Sequence, residues 1–495
     1  MPEAKTKNTI QFILDNKIVT VQFGDKYNPT TTLLNYLRSL PNHKGVKEGC
    51  AEGDCGACTV VIADIIDGKI VYKAVNSCLV FLPAIHGKQV ITVENLAESN
   101  GKELRLHPVQ KALVESDGTQ CGFCTPGVVM SLFGLYKSPV NPTRIEVEKS
   151  LAGNLCRCTG YQPIMNAAIN LPENNSDIFS ENEPQVLKMI EKIKNTYGSL
   201  ELSNGEQQYF KPLTLTEALK LKENYPDAVV ISGATDVALR QTKKFEKIDK
   251  IIDISGIESL KTIKEDNGFY IIGAGSTLEE MRLFFRDKIP ALSGMLDIFA
   301  SKQIRNVATI GGNLATASPI SDTIPLMFAI EAWITISGKK GERTCNMDNF
   351  IKGYRKTALS DEDIIKEVII PKPKAEKYIE FYKVSKRKDV DISSVSAGFS
   401  TEIVNGVINS AILAYGGMAA YTKRAQKAEN FLIGKEWNRE IIEEAAVLVQ
   451  EDFSPISDVR AGADYRNEVA KNLLIKYYFE KNLPDKQETI SKNKE

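Results

Sequence analysis

The alternation of hydrophobic and polar residues changes period along the chain and so divides it into regions. Up to Val93, short runs follow the two-residue period of strands, interrupted by one run with helical spacing that Thr31 or Thr32 can cap. The predicted strands are TIQFIL, IVTVQF, CTVVIADI, KIVYKAV and KQVITV, and the predicted helix is LLNYLRSL. This β–β–α–loop–β–β order predicts a small half-open sheet around one helix.

Later regions have other periods. Helical spacing dominates residues 107–170, where about four short helices are predicted, with Pro126 near a first-turn position. Residues 171–205 are polar and favour an exposed linker that is partly helical around VLKMIEKI. Strand and helix patterns alternate from about residue 208, as in an α/β domain, and an α+β segment runs from about 376 to 480. The predicted fold class is therefore multidomain α+β.

Composition and charge narrow the class of protein. The chain has 62 Lys+Arg against 63 Asp+Glu, a net charge of −1, so it lacks the basic excess of a nucleic-acid-binding protein. No apolar run approaches the ~18–20 residues that span a bilayer. The N-terminus has no apolar signal-peptide segment. We therefore expect a cytoplasmic protein that binds neither nucleic acid nor membrane.

Cysteine is the most informative residue type. Eight of the nine cysteines lie within the first 158 residues, and Cys345, whose role stays open, stands alone. In a reducing compartment such clustering favours metal ligation over disulfides. The first group, in GCAEGDCGACTVV, comprises Cys50, Cys55, Cys58 and Cys78. Its C-x4-C-x2-C…C spacing is that of plant-type 2Fe–2S ferredoxins, whereas zinc sites usually have two C-x2-4-C knuckles.

The second group pairs a C-x2-C with a C-x-C. It comprises Cys121, Cys124, Cys156 and Cys158. By itself this pairing could hold either an iron–sulfur cluster or zinc. Two four-cysteine sites in series would serve as consecutive electron carriers, and this favours iron–sulfur clusters at both.

Three strings give a specific resemblance. GCAEGDCGACTV, QCGFCTPG and NLCRCTGYQPI are similar to the iron–sulfur part of the molybdenum hydroxylases, the xanthine dehydrogenase and aldehyde oxidase family. The resemblance implies two 2Fe–2S clusters, with the helical one nearest a molybdopterin and the ferredoxin-like one nearer a flavin. It also implies that Gln120 and Cys158 face the pterin, which would lie on another chain.

Two further segments suggest a flavin site. VVISGATDVALR predicts a strand, a small-residue turn and a helix, which could bind a pyrophosphate or be an ordinary βα loop. IRNVATIGGNLATASPISD has two glycines that allow close backbone approach. This second string is very similar to the FAD-binding domain of the same family, and no GxGxxG stands at the relevant loop.

The resemblance implies a set of FAD-contacting residues. Phe299 could equally be a core residue. The set is Val230, Ile231, Ser232, Gly233, Ala234, Thr235, Asp236, Val237, Phe299, Thr309, Gly312, Asn313, Thr316, Asp322, Ile365 and Lys383.

The resemblance extends over about residues 8–480 and implies the domain organisation. Residues 1–93 would be a β-grasp plant-type 2Fe–2S ferredoxin domain, 94–170 a four-helix 2Fe–2S domain, 171–205 a linker, 206–374 an α/β FAD-binding domain of the vanillyl-alcohol-oxidase type, 375–482 a C-terminal α+β flavoprotein subdomain, and 483–495 a polar tail.

No large molybdenum domain follows the flavin region, so the resemblance implies the electron-transfer subunit of a split enzyme of the xanthine dehydrogenase type. A molybdopterin-binding large subunit would oxidise a purine, and electrons would pass through both clusters to FAD and on to NAD+. The family suggests a dimer of small–large pairs, with no residue for substrate chemistry on this chain. Val390, in the charged loop 384–391, leaves NAD+ or oxygen open as acceptor. The alternatives are another molybdenum hydroxylase, acting on an aldehyde or N-heterocycle, and a stand-alone iron–sulfur flavin reductase.

Overall fold

The computed structural model describes residues 8–99, 104–138, 142–171 and 177–483. All but the first residue of the expected polar tail, 483–495, lies outside the described residues. Within these ranges no helix combines the length and the apolar character needed to cross a membrane. The strands are β1 Thr9–Leu14, β2 Lys17–Gln22, β3 Thr59–Ile66, β4 Lys69–Asn76, β5 Gln89–Ile91, β6 Glu98–Ser99, β7 Leu104–Arg105, β8 Leu200–Ser203, β9 Gln208–Lys211, β10 Val229–Ile231, β11 Lys250–Asp253, β12 Ile263–Asp266, β13 Phe269–Gly273, β14 Trp333–Gly338, β15 Gly341–Asn346, β16 Ile351–Gly353, β17 Lys356–Thr357, β18 Ile364–Pro371, β19 Lys377–Val384, β20 Val395–Val404, β21 Val407–Gly416 and β22 Lys423–Arg424.

The helices are numbered separately in chain order. They are α1 Leu33–Ser39, α2 Pro108–Glu115, α3 Thr125–Tyr136, α4 Arg144–Leu151, α5 Gln162–Ile169, α6 Ile178–Thr196, α7 Leu215–Asn224, α8 Ala238–Thr242, α9 Leu278–Phe284, α10 Pro290–Asp297, α11 Lys302–Arg305, α12 Ile310–Thr316, α13 Thr323–Ala329, α14 Met347–Phe350, α15 Gln426–Leu432, α16 Arg439–Asp452 and α17 Ala463–Asn482.

The first domain is the predicted sheet around one helix. Its strands lie in the order β2-β1-β5-β3-β4, with β1 parallel to β5 and the other pairs antiparallel. Asp15 and Asn16 both adopt left-handed backbone angles, which the tight turn between β1 and β2 requires. Thr32 caps α1 by accepting a hydrogen bond from the Asn35 N–H at 3.2 Å. The buried face of α1 packs on β1 and β3.

The predicted helical region comprises α2, α3, α4 and α5. Helix α3 is buried along most of its length and packs against β3, so the two cysteine-containing domains share one hydrophobic core. Thr143 and Glu146 form a capping box that begins α4. His107 accepts from the Val109 N–H and caps α2 in the same way.

The prediction that residues 171–205 form an exposed linker is wrong about exposure. Residues 178–196 form the 19-residue helix α6, which buries Val186, Ile190 and Ile193 against Ile13 of β1. Burying this apolar stripe is favourable. The stripe is difficult to recognise in the sequence because polar residues surround it and Pro184 lies inside the helix. The end of the expected linker supplies β8 to the next sheet.

Among the described residues after α6, there are three larger sheets and the two-stranded sheet β16-β17. In the order β10-β11-β9-β8, the first three strands are parallel, and this gives the predicted α/β character. An antiparallel sheet, β12-β13-β18-β14-β15, packs against α9, α10, α12 and α13. The C-terminal subdomain is the antiparallel sheet β19-β20-β21-β22, covered by α15, α16 and α17. The observed architecture agrees with the predicted multidomain α+β class.

Candidate functional site

The first cysteine loop is shaped to surround negatively charged sulfur. Ala51, Gly53 and Gly56 all have positive φ, which turns backbone N–H groups inward. Three of these groups donate to the Cys50 Sγ at 3.3–3.4 Å, those of Glu52, Asp54 and Cys55. A hydrogen bond from the Cys55 thiol, together with these N–H groups, lowers the pKa of Cys50 to about 5. At Gly49, any Cβ would lie only 2.9 Å from the Cys55 Sγ.

Within each cysteine group the thiols approach one another in pairs. In the first group Cys50 contacts Cys55, and Cys58 contacts Cys78. In the second group the pairs are Cys121 with Cys158 and Cys124 with Cys156. Among the described residues no three His, Cys, Asp or Glu side chains converge to hold a single metal ion.

This pairing bears on which metal the two groups would hold. A four-cysteine zinc site surrounds one ion with all four sulfurs. A 2Fe–2S cluster has two irons and needs two thiolates at each. Each cysteine group therefore has the four thiols, in two contacting pairs, that a 2Fe–2S cluster would need.

The second group lies at the surface. Cys121 and Cys158 are exposed, while Cys156 is buried. Burial opposes the ionised form of Cys156, but hydrogen bonds from Thr159 outweigh it and lower the pKa to about 7. Gln120 is exposed beside Cys121, and the aromatic rings of Phe123 and Tyr161 are about half exposed close by in the chain. The residues expected to face a partner's pterin, Gln120 and Cys158, are thus both at the surface.

The backbones of the two cysteine groups touch. The Leu155 N–H donates to the Cys55 carbonyl at 3.0 Å. The Asn154 amide donates to the Gly56 carbonyl at 3.2 Å. On the other side of this contact, a Cβ added at Gly127 in α3 would lie 2.1 Å from the Gly56 oxygen. The two groups are therefore held against each other by contacts that only glycine allows.

The first predicted flavin segment borders a cavity. Residues 231–234 and Thr309 line a cavity of ≈ 600 Å³ whose opposite wall is formed by β3 and β4. This volume is typical of cofactor sites. Ala234 has φ +58°, so the chain turns sharply at the end of β10. Packing within the protein requires glycine at position 233, because a Cβ there would lie 1.8 Å from the Val307 carbonyl oxygen.

The second segment begins α12. Thr309 caps this helix by accepting from the Gly312 N–H at 3.2 Å. Gly312 is exposed, and a Cβ there would meet no other atom within 4 Å than the Thr309 hydroxyl oxygen. Protein packing therefore leaves space at Gly312, as close approach of a ligand would require. The Asn313 carboxamide oxygen accepts from Ser321 and Thr323, and the Thr316 hydroxyl donates to the Gly312 carbonyl.

A separate group lies near Phe299 and outside the lining of this cavity. Lys383 Nζ is 2.7 Å from an oxygen of Asp322, and both side chains are buried. The Ser393 hydroxyl donates to the other oxygen of Asp322 at 2.5 Å. Lys383 also donates to the carbonyl of Ile298, next to the half-buried Phe299. Asp322, Lys383 and Phe299 thus share one neighbourhood.

The remaining predicted flavin residues are dispersed. Ile365 lies in β18 and is buried in the core of the antiparallel sheet. Val230 lies in β10, at the edge of the sheet β10-β11-β9-β8. At the turn before α8, Thr235 and Val237 are half-buried and Asp236 is exposed. Val230, Thr235, Asp236 and Val237 therefore adjoin the loop of residues 231–234 in sequence, whereas Ile365 belongs to a different sheet.

Several residues at this site have no sequence signal. Arg305 is 2 % exposed, and its guanidinium donates to the Phe299 and Ala300 carbonyls at 2.9 and 3.0 Å. Gln303 is also buried and contacts the helical domain. Lys243 donates to the Cys50 carbonyl at 3.2 Å. Their partners are remote in sequence or are backbone atoms, so spacing and composition could not have identified them.

Comparison with known families agrees with this architecture. Residues 92–169 match the "[2Fe-2S] binding domain" family. Residues 203–373 match "FAD binding domain in molybdopterin dehydrogenase". Residues 380–480 match "CO dehydrogenase flavoprotein C-terminal domain".

Similar proteins include xanthine dehydrogenases. Xanthine dehydrogenase 1 of Arabidopsis thaliana is 33 % identical over 90 % of this chain, and xanthine dehydrogenase/oxidase of Mus musculus is 31 % identical over 96 %. The chain spans only 38 % and 39 % of these relatives.

Among solved structures, carbon monoxide dehydrogenase from Hydrogenophaga pseudoflava has a TM-score of 0.52 at 26 % identity, covering 54 % of this chain and 94 % of that one. Quinoline 2-oxidoreductase from Pseudomonas putida 86 has a TM-score of 0.51 at 26 % identity, covering 55 % and 95 %. The chain is therefore a member of the molybdenum hydroxylase family and carries that family's iron–sulfur and FAD domains.

Proposed function

We propose that this chain is the electron-transfer subunit of a split xanthine dehydrogenase. Electrons from a molybdopterin-binding partner would pass through two 2Fe–2S clusters to FAD and then to NAD+, as hypoxanthine and xanthine are oxidised to urate in the cytoplasm. The observation that carries this proposal is the pair of four-cysteine groups, each arranged as two thiol pairs and joined by a hydrogen bond from Leu155 to Cys55. Similarity to xanthine dehydrogenases over at least 90 % of the chain supports the choice of purine.

The chain's own residues would hold the two clusters. Cys50, Cys55, Cys58 and Cys78 would ligate the first, and Cys121, Cys124, Cys156 and Cys158 the second. When bound, the clusters and FAD supply one-electron carriers and a site that collects two electrons. The protein's contribution is to direct N–H groups at sulfur, as at Cys50, and to bury Cys58, Cys78 and Cys156, which together tune the reduction potential.

FAD would lie along the two glycine-containing segments. The turn of residues 231–234 and the first turn of α12 at Gly312 would face its pyrophosphate. Phe299 would pack on the ring system, and Asp322, paired with the buried Lys383 ammonium, would accept a hydrogen bond from a hydroxyl or ring N–H. In the turn of residues 384–391, directly after Lys383, residues 386–388 are exposed and the others are half-buried, so NAD+ would meet the turn at residues 386–388.

The partner would cover the exposed second cysteine group. Cys121, Cys158 and Gln120 are at the surface, although thiolate ligands of a cluster are better protected from water and oxygen when covered. We propose that this partner is a molybdopterin-binding large subunit and that the assembly is a dimer of small–large pairs.

The test is a metal and flavin count on the complex isolated from its native host through a tag on this chain. We expect about four irons and one FAD per chain, with molybdenum and a large second polypeptide. Purines should then reduce the flavin. Iron and FAD without molybdenum or a partner would favour the stand-alone reductase, and zinc in place of iron would contradict both readings.

A second candidate is a molybdenum hydroxylase for an aldehyde or N-heterocycle. The observation that favours it is the likeness of about half of the chain to nearly the whole of a chain in the carbon monoxide dehydrogenase and quinoline 2-oxidoreductase structures. Presenting xanthine, quinoline and an aromatic aldehyde to the isolated complex separates the candidates. Flavin reduction by quinoline or the aldehyde, and not by xanthine, would replace the purine assignment.

A further inference from the structure

The short helix α11 lies where all three cofactor-binding domains meet. On one side the Gln303 carboxamide, 1 % exposed, donates to the Ser131 hydroxyl and the Asn154 carboxamide oxygen, both at 2.8 Å, in the helical domain. On the other side, the Asn306 amide donates to the Ala74 carbonyl of the ferredoxin-like domain at 2.8 Å. Ile304 lies against Gly53 of the first cysteine loop, where a Cβ would be 2.9 Å from its Cδ1 atom.

Asn154 continues this contact to both cysteine groups. Its carboxamide oxygen accepts from Gln303 and Ser131, and its amide donates to the Gly56 carbonyl at 3.2 Å. The next residue, Leu155, donates its N–H to the Cys55 carbonyl at 3.0 Å. Because Cys156 follows Leu155, a single hydrogen bond joins the backbone of one cysteine group to that of the other.

Steric contacts keep this junction from sliding. A Cβ at Gly56 would lie 2.2 Å from the Gly153 carbonyl oxygen, and one at Gly153 would lie 2.4 Å from the Ser301 Cβ. Gly153, next to Asn154, is therefore packed tightly between the backbone of Gly56 and the side chain of Ser301. The polar atoms of Asn154 and Gln303 are removed from water, so hydrogen bonds between them are costly to leave unmade.

We propose that Gln303 and Asn154 are positioning residues that hold the Leu155 N–H on the Cys55 carbonyl and thereby set the electronic coupling between the two cysteine groups. This inference rests on the proposed function. Electron exchange falls steeply with distance and is favoured along covalent and hydrogen-bonded paths. Gln303 belongs to the flavin domain, yet it would control electron transfer between the two cysteine domains. The electron itself would not pass through Gln303.

The test compares Gln303→Met, which keeps the side-chain volume but removes the donor, with Asn154→Ala. Lys149→Ala is the matched control, because Lys149 pairs with Asp297 at 2.6 Å across the same two domains and does not touch the junction. The first readout is hydrogen exchange of the Leu155 amide in the full chain. We expect exchange to rise about tenfold in the two junction variants, from the loss of a buried hydrogen bond, and to stay unchanged in the control.

The second readout is the magnetic interaction between the reduced clusters, measured by EPR on the dithionite-reduced complex. We expect its splitting to decrease in Gln303→Met and Asn154→Ala while iron content stays at the wild-type value. The double variant should decrease the splitting no further than Asn154→Ala alone, because Gln303 acts through Asn154. If Asn154→Ala does not fold, Gln303→Met decides.

Unchanged exchange of the Leu155 amide and unchanged splitting in an iron-replete Gln303→Met variant would overturn the inference. An equal loss of both in Lys149→Ala would also overturn it, because domain docking alone would then explain the effect. Absence of iron–sulfur clusters from the wild-type complex would instead contradict the proposed function, whereas the exchange measurement still reports on the junction.

Discussion

Gly127 in α3 offers a sharp test of how the two cysteine domains fit together. Alanine normally favours a helix over glycine by up to about 1 kcal/mol. At Gly127, however, a Cβ would lie 2.1 Å from the Gly56 carbonyl oxygen. Relieving that overlap requires a movement of about 1 Å of one domain against the other, and overpacking of this kind costs about 1–3 kcal/mol.

The expected net loss for Gly127→Ala is about 2 kcal/mol, if the upper cost of about 3 kcal/mol is offset by about 1 kcal/mol of helix propensity. For a unit of about 150 residues this corresponds to a fall in melting temperature of about 4–8 °C. Gly294 in α10 is the matched control, because it is exposed and a Cβ there meets nothing within 4 Å. Gly294→Ala should leave the cysteine domains unaffected.

Melting should be followed by the absorbance of the bound clusters at wavelengths longer than the flavin bands. A chain with several cores does not unfold in one step, and this signal reports on the cysteine domains alone. Gly127→Ala should melt earlier than wild type and Gly294→Ala at the wild-type temperature. If Gly127→Ala melted at or above the wild-type temperature, the close approach of α3 to the first cysteine loop would not exist in solution.

Three further predictions concern the relay, the flavin site and pH. Cys121→Ser should abolish flavin reduction by purine but leave flavin reduction by NADH largely intact in stopped-flow measurements; a full rate with purine would contradict the order of the relay. Lys383→Met leaves the buried Asp322 carboxylate unpaired, at a cost of about 3–5 kcal/mol or with loss of FAD, and Asp322→Asn in the same chain should restore most of the stability; no recovery would contradict the pairing. Burial opposes ionisation of Glu279, but hydrogen bonds from Arg282 and the charge of Arg305 outweigh it and lower the pKa of Glu279 to about 2. The ionised Glu279 therefore stabilises the folded chain above about pH 4.5, and this contribution is lost as the pH falls toward 2. The difference in urea midpoint between wild type and Glu279→Gln should therefore narrow from pH 5 to pH 3, and a constant difference would contradict the depressed pKa.

Local chemistry made much of the fold predictable. The hairpin at Asp15 and Asn16 and the cap at Thr32 depend on residues next to one another in sequence, and the structure has both. The helical spacing around Pro126 likewise gave α3. Cysteine spacing marked the two groups because each thiol pair must lie within reach of a common centre, and here the structure brings the same residues together.

Properties that depend on distant contacts were not predictable. The apolar stripe of α6 is only a few residues wide and lies in a polar segment, so exposure was the reasonable expectation until its partner Ile13 was known. Gln303 reaches Asn154 across 149 residues of sequence. Phe299 and Lys383 are brought together by Asp322 and the Ile298 carbonyl, which no spacing rule connects.

The helix α6 has a consequence for synthesis on the ribosome. Ile13, in β1, is buried by Val186, Ile190 and Ile193 of α6, which is synthesised much later. Roughly 170 residues separate the strand from the helix, so at about 5–20 residues per second the apolar face of that strand waits about 10–30 s for its cover. The domain that contains β1 is therefore completed only after the helical domain has emerged, and a translational pause before residue 178 would prolong the state most exposed to aggregation.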